Sequence, residues 1–178
     1  MTRLKALNPE EATGKSKELF DVVKSKMGII PNVTRTMANS TAVLGGYLGF
    51  SSALSSASIG TKLSELISLT VANENGCDYC NAAHTFVSGK IGLDPTAIEQ
   101  ARSGFSSEAK IYAALEFTKE ILATKGNVSD LAIEKVKNAG YGDGQISEII
   151  GVIALNVFTN YFNNVAQTEI DFPVLAPI

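Results

Sequence analysis

The sequence predicts an all-α domain, and three observations carry that prediction. Apolar residues recur at helical spacing along most of the chain, no stretch shows a convincing alternation of period two, and residues that start and stop helices stand at regular intervals between the periodic segments. Leu19, Phe20, Val22, Val23 and Met27 form the first amphipathic stripe. It is broken by "GIIPN" at 28–32, because Pro31 cannot continue a helix. Further helices are predicted over about 33–38, 41–55, 62–75, 77–91, 95–103, 107–125, 130–139 and 144–168. Ser40 or Thr41, Asp94 followed by Pro95, Ser129 and Asp143 supply N-terminal caps. Gly92, Gly104, Gly126 and Gly140 supply stops. The tail "DFPVLAPI", with its two prolines, reads as extended and packed on the body or on a neighbour. With no linker and no low-complexity segment, residues 1–178 read as one domain.

Composition narrows the function classes. A net charge of −3 and a pI near 5.2 give no electrostatic case for nucleic acid or an anionic membrane. The first twenty residues lack the apolar run of a secretory signal. The most apolar run, 149–158, is far shorter than the ~20 residues of a spanning helix. A cytoplasmic protein is expected, in which two cysteines favour catalysis or metal binding over a structural staple. Hydrophobic content of 45% is high for a small monomer, and "QISEIIGVIALNVFTNYF" at 145–162 is apolar around nearly its whole circumference. Such a helix needs cover on most sides, either as the centre of one chain or, as favoured here, within a homo-oligomer.

The chain also echoes itself. Residues 64–84, "SELISLTVANENGCDYCNAAH", align with 147–167, "SEIIGVIALNVFTNYFNNVAQ", at an offset of 83. Six positions are identical: Ser64, Glu65, Ile67, Asn73, Asn81 and Ala83 meet their own kind. In the second copy Cys77, Cys80 and His84 become Asn160, Asn163 and Gln167, which have no redox or acid–base capacity near neutral pH. A degenerate repeat is expected, with an active hairpin at about 61–92 and a scaffold copy at about 144–168.

Both cysteines and the single histidine fall within "CDYCNAAH", residues 77–84. Gly76 ends one helix and puts Cys77 at or near the start of the next. Cys80 then lies in the first turn, where free N–H groups and the positive end of the helix dipole favour a thiolate. The i, i+3 spacing lets the two sulfurs join with little movement. His84, four residues beyond Cys80, faces the same side and can exchange the thiol proton. If the two helices form an antiparallel hairpin turning at Asn75–Gly76, Glu65 comes within one helical turn of His84 and can orient its ring. Blander readings stand beside these. A zinc site would need Glu65 or Asp78 to complete its ligands. The cysteines could be inert, His84 an ordinary helix residue, and Glu65 a carboxylate that favours the helix dipole.

Glu65, eleven intervening residues, "CDYC", three residues and His84 resemble the motif of the AhpD-type alkylhydroperoxidases of the carboxymuconolactone decarboxylase superfamily. "GIIPN" and the length resemble its peroxidase-related branch. The resemblance is strongest over 61–92 and extends over 28–168. It implies an AhpD-like all-α bundle with an internal repeat, assembled as trimers or hexamers. It also implies a thiol peroxidase or disulfide reductase in which Cys80 attacks the peroxide, Cys77 resolves the intermediate, and Glu65 with His84 relays protons. The reductant would be a dithiol or lipoyl-type protein; no cofactor and no metal are implied. The sequence departs from the family at Tyr79, where the well-described alkylhydroperoxidases have a histidine, and Tyr79 is therefore an accessory candidate. Decarboxylase members lack the cysteine pair. A non-catalytic redox sensor or binding protein using the same pair is the alternative.

Overall fold

The computed structural model describes residues 1–173. Among them are a short 3-10 turn at Pro9–Glu11 and nine helices: α1 (Gly14–Met27), α2 (Asn32–Met37), α3 (Thr41–Leu54), α4 (Gly60–Glu74), α5 (Asp78–Lys90), α6 (Pro95–Arg102), α7 (Ala109–Thr124), α8 (Asp130–Asn138) and α9 (Asp143–Ala166). No strand occurs among the described residues. The all-α prediction holds, and the helix limits fall within a few residues of those expected.

Local chemistry sets the ends. Ser40, Asp94 and Ser129 each accept a backbone N–H of the first turn that follows them. Asp143 does not cap; it is the first residue of α9, and Gly142 occupies the cap position with Gln145 reaching back to its N–H. The joint between α4 and α5 depends on Gly76, whose φ of +57° lies in the left-handed region that side chains disfavour. Two backbone bonds close this turn, from the Gly76 N–H to the Asn73 carbonyl at 3.0 Å and from the Cys77 N–H to the Ala72 carbonyl at 2.9 Å. The reversal is therefore tight, and α5 runs back along α4.

Within the chain, the helix covered on all sides is α4, while α9 keeps one face exposed. Every residue from Leu66 to Ala72 is buried, with α5, α6, α7 and α9 around it. Its central position is hidden in the sequence by Ser68 and Thr70. Ser68 Oγ donates to the Ser64 carbonyl at 2.8 Å, and Thr70 Oγ1 reaches the carbonyls of Leu66 and Ala101 at 3.1 and 2.7 Å. Satisfied in this way, the hydroxyls cost little to bury. Helix α9 buries one face through Ile146, Ile149, Val152 and Ile153, and then through three asparagines, Asn156, Asn160 and Asn163. Its other side shows Ile150, Phe158, Tyr161 and Val165, exposed by 40–65%. By length and composition this 24-residue helix is apolar enough to cross a membrane, contrary to the shorter span read from the sequence. In the fold, 44% of that window is buried.

Among the described residues three apolar clusters result. The main one joins α4 with α6, α7, α8 and α9, and a second joins α1, α2 and α3. The third is small and surrounds the cysteines: Ala72, Cys77, Tyr79, Cys80, Ala82 and Phe172. Phe172 belongs to the proline-containing tail, whose last five residues lie outside the described part.

Candidate active site

Cys77 is the N-cap of α5, and its Sγ accepts the Cys80 N–H at 3.3 Å. A sulfur in the place usually taken by a serine or aspartate oxygen holds Cys80 within reach, with Cα atoms 5.3 Å apart. The two cysteines form a disulfide, and both are buried. They are not equivalent. Cys80 lines a cavity of about 500 Å³, whereas Cys77 is fully buried behind it.

The same cavity is bordered by Glu65, His84 and Tyr47. Because α5 returns antiparallel to α4, the Glu65 carboxylate meets His84 Nδ1 at 2.9 Å. Burial alone would pull the imidazole pKa down. The charge and hydrogen bond of Glu65, joined by the Asn156 side chain, overcome this and hold it above the ordinary value. The ring therefore favours its protonated form beside the sulfur-bearing turn. Burial, reinforced by the Glu65 charge, pushes the Tyr47 phenol upward, so that Tyr47 presents a neutral O–H to the cavity. Elsewhere the cavity is mostly apolar, with Val23, Met27, Leu48, Val87 and Leu155 among its walls. No group of three or more His, Cys, Asp or Glu side chains suited to a metal ion occurs among the described residues.

Tyr79 also borders this cavity, but its hydroxyl is engaged elsewhere. Its hydroxyl accepts the Val33 N–H at 3.1 Å and donates to Asp171 Oδ1 at 2.8 Å. Asp171 Oδ2 in turn accepts the Asn32 N–H at 2.7 Å, and Asn32 Nδ2 donates to the Glu169 carbonyl at 3.1 Å. The "PN" of "GIIPN" is thereby tied to the C-terminal segment, and Phe172 is seated edge-on against the Tyr79 ring at 5.7 Å. Burial, with the Asp171 charge, pushes the Tyr79 phenol far above its ordinary range, so it stays a donor. Tyr79→Phe is expected to leave the Val33 N–H unmatched and to destabilise the fold by about 1–3 kcal/mol in urea denaturation. The His84 titration, read by NMR, should stay close to that of the parent, because the hydroxyl faces Val33 and Asp171.

Solved structures place this architecture. An uncharacterized peroxidase-related protein described as an alkylhydroperoxidase AhpD core, from Ralstonia eutropha JMP134, superposes with a TM-score of 0.86 at 18% identity, covering 96% of this chain and 92% of that one. The chain has the AhpD-like fold. Another peroxidase-related protein of this fold, from Silicibacter sp. TM1040, superposes with a TM-score of 0.80 at 21% identity over 95% and 94% of the two chains. The debrominase Bmp8, in complex with 2,3,4-tribromopyrrole, superposes with a TM-score of 0.82 at 18% identity over 96% and 92%. At such identities the likeness is one of fold, and the AhpD-like fold carries more than one chemistry. No protein-family model matches the sequence, and no curated protein matches it.

On this AhpD-like framework Glu65 and His84 meet directly, Cys80 shares their cavity, Cys77 lies behind, and the Tyr79 hydroxyl points elsewhere. Sequence reasoning missed the contribution of α9. Asn156 supports the imidazole, and Asn163 Nδ2 donates to Cys80 Sγ at 3.3 Å. The offset of 83 was the only signal available, since it pairs Asn163 with Cys80 and Asn156 with Asn73.

Proposed function

We propose that the chain is a thiol-dependent peroxidase of the alkylhydroperoxidase type, cycling Cys77 and Cys80 with Glu65 and His84 as proton relay. The observation that carries this is the placement of Cys80, His84 and Glu65 around one apolar-walled cavity, with Cys77 bonded to Cys80 from behind. In the reduced protein the Cys80 thiolate attacks the outer oxygen of a hydroperoxide. The O–O bond breaks, the sulfur becomes a sulfenic acid, and the departing alkoxide takes a proton from the His84 imidazolium. The Cys77 thiol then displaces water from that sulfur and forms the disulfide. An external dithiol, of the lipoyl type, restores both thiols and becomes a disulfide itself. The net reaction converts hydroperoxide and dithiol to alcohol, water and disulfide. Glu65 orients the ring through Nδ1 and favours its charged state.

The reading is tested by hydroperoxide consumption with a dihydrolipoyl protein or a small dithiol as reductant. Catalytic turnover is expected. Disulfide formation without turnover would instead indicate a redox sensor. The exposed row of Ile150, Phe158, Tyr161 and Val165 on α9 supports assembly into a homo-oligomer, a trimer or hexamer. Light scattering at micromolar concentration should report that mass, and a monomer would refute the assembly.

A further inference from the structure

Among the described residues, Cys80 Sγ receives one hydrogen bond from outside its own helix, and the donor is a residue with no titratable group. Asn163, only 4% exposed, donates through Nδ2 at 3.3 Å. The other end of the same planar carboxamide is unmatched, for Oδ1 is buried without a hydrogen-bond partner among the described residues. A buried acceptor left in this way bears its desolvation cost with nothing to offset it. In the disulfide form, therefore, the amide is half used.

Opening the disulfide changes what the sulfurs offer. Two bonded sulfurs carry no proton and accept only weakly. A reduced pair with one ionised member presents a thiolate, which is a strong acceptor, and an S–H, which is a donor. A carboxamide supplies one complement to each. The geometry points to Asn163 as a positioning residue that favours the reduced pair, with Nδ2–H on the Cys80 thiolate and the carbonyl left for the Cys77 thiol proton. This rests on the reading that the pair cycles, whatever its oxidant. The half-reaction breaks the S–S bond with two electrons and one proton, both supplied by an external dithiol, and yields one thiolate and one thiol. The other titratable groups around the sulfurs are Asp78, Tyr79 and His84 on α5 itself, Glu65 on α4, Tyr47 on α3, and Asp171 of the C-terminal segment. None of these hydrogen-bonds Cys80 Sγ among the described residues, so the donor is Asn163. The second half of the sequence echo, expected to be scaffold, thus supplies a contact to the reacting sulfur.

The test equilibrates the full chain with graded ratios of reduced and oxidised dithiothreitol, scores the pair by thiol alkylation and mass, and follows thiolate ultraviolet absorbance against pH. Asn163→Leu removes donor and acceptor at similar volume. It should shift the equilibrium about tenfold toward the disulfide, roughly 30 mV to more negative potential, and move thiolate formation to higher pH. Asn163→Asp keeps the shape, loses the donor and adds a charge that repels the thiolate, so both shifts should be at least as large. This nearly isosteric variant carries the test if the leucine variant does not fold by circular dichroism. Folded variants with the parent's equilibrium and titration would overturn the inference. A parent protein that never forms the disulfide at any ratio would overturn the cycling reading and this one together.

Discussion

Cys80→Ser is expected to abolish peroxide turnover outright, whereas Cys77→Ser should consume one equivalent of peroxide and stop. The asymmetry follows from position. Cys80 lines the cavity, stands one turn before His84 and receives the Asn163 N–H; Cys77 caps the helix with no exposed surface. A substrate entering the cavity therefore meets Cys80 first. With Cys77 replaced, the sulfenic acid on Cys80 has no neighbour to condense with and should be trapped by dimedone, a change located by mass spectrometry. With Cys80 replaced, the remaining thiol is walled off and should label slowly. Labelling of Cys77 in the Cys80→Ser protein, with none of Cys80 in the Cys77→Ser protein, would reverse the assignment. No label in either variant and no disulfide in the parent would dispose of the peroxidase reading.

The second large effect is that of Glu65→Gln. Glutamine keeps the shape and a hydrogen bond to the ring but removes the charge. Burial, which acts to lower the His84 pKa, is then opposed only by hydrogen bonds, and the pKa should fall. Because His84 is the chain's only histidine, one imidazole resonance titrated by NMR reads this directly. Two limbs of the activity profile should move. The alkaline limb, where the proton donor is lost, shifts to lower pH; the acid limb, where the thiolate is protonated, shifts to higher pH as its cationic neighbour weakens. The bell narrows from both sides, and turnover at neutral pH should drop about 10–100-fold. Stability carries its own sign. A folded pKa raised above the unfolded value of about 6.5 stabilises fully below that value and is lost as pH rises through the folded pKa. The parent should therefore lose stability across that window, and Glu65→Gln should lose less. An unchanged histidine titration would reduce Glu65 to a residue that merely favours the start of α4.

What could be read from sequence was whatever is fixed within a helix or across one tight turn. The i, i+3 and i, i+4 spacings of Cys77, Cys80 and His84 and the reversal at Gly76 place four residues correctly, because α4 and α5 leave little freedom between them. The features missed depend on how a distant helix is rotated against that hairpin. Asn163 reaches Cys80 across 83 residues, and Asp171 reaches Tyr79 across 92. Nothing local tells which face of α9 turns inward, since its buried side ends in asparagines and its exposed side holds phenylalanine, tyrosine and valine. The central place of α4 was concealed for a related reason, since its hydroxyls satisfy themselves on carbonyl groups.

Tyr79 stands between the two cysteines in the first turn of α5, and its hydroxyl is held from two directions, by the Val33 N–H and by Asp171. The turn is thus anchored at its midpoint to two other parts of the chain while its flanking residues exchange a covalent bond. On the proposed cycle, exchange between dithiol and disulfide would need only rotation of two side chains, with the main chain acting as a fixed jig. A redox centre built in this way would reorganise little between its states, and its oxidised and reduced forms should present the same outer surface to the proposed reductant.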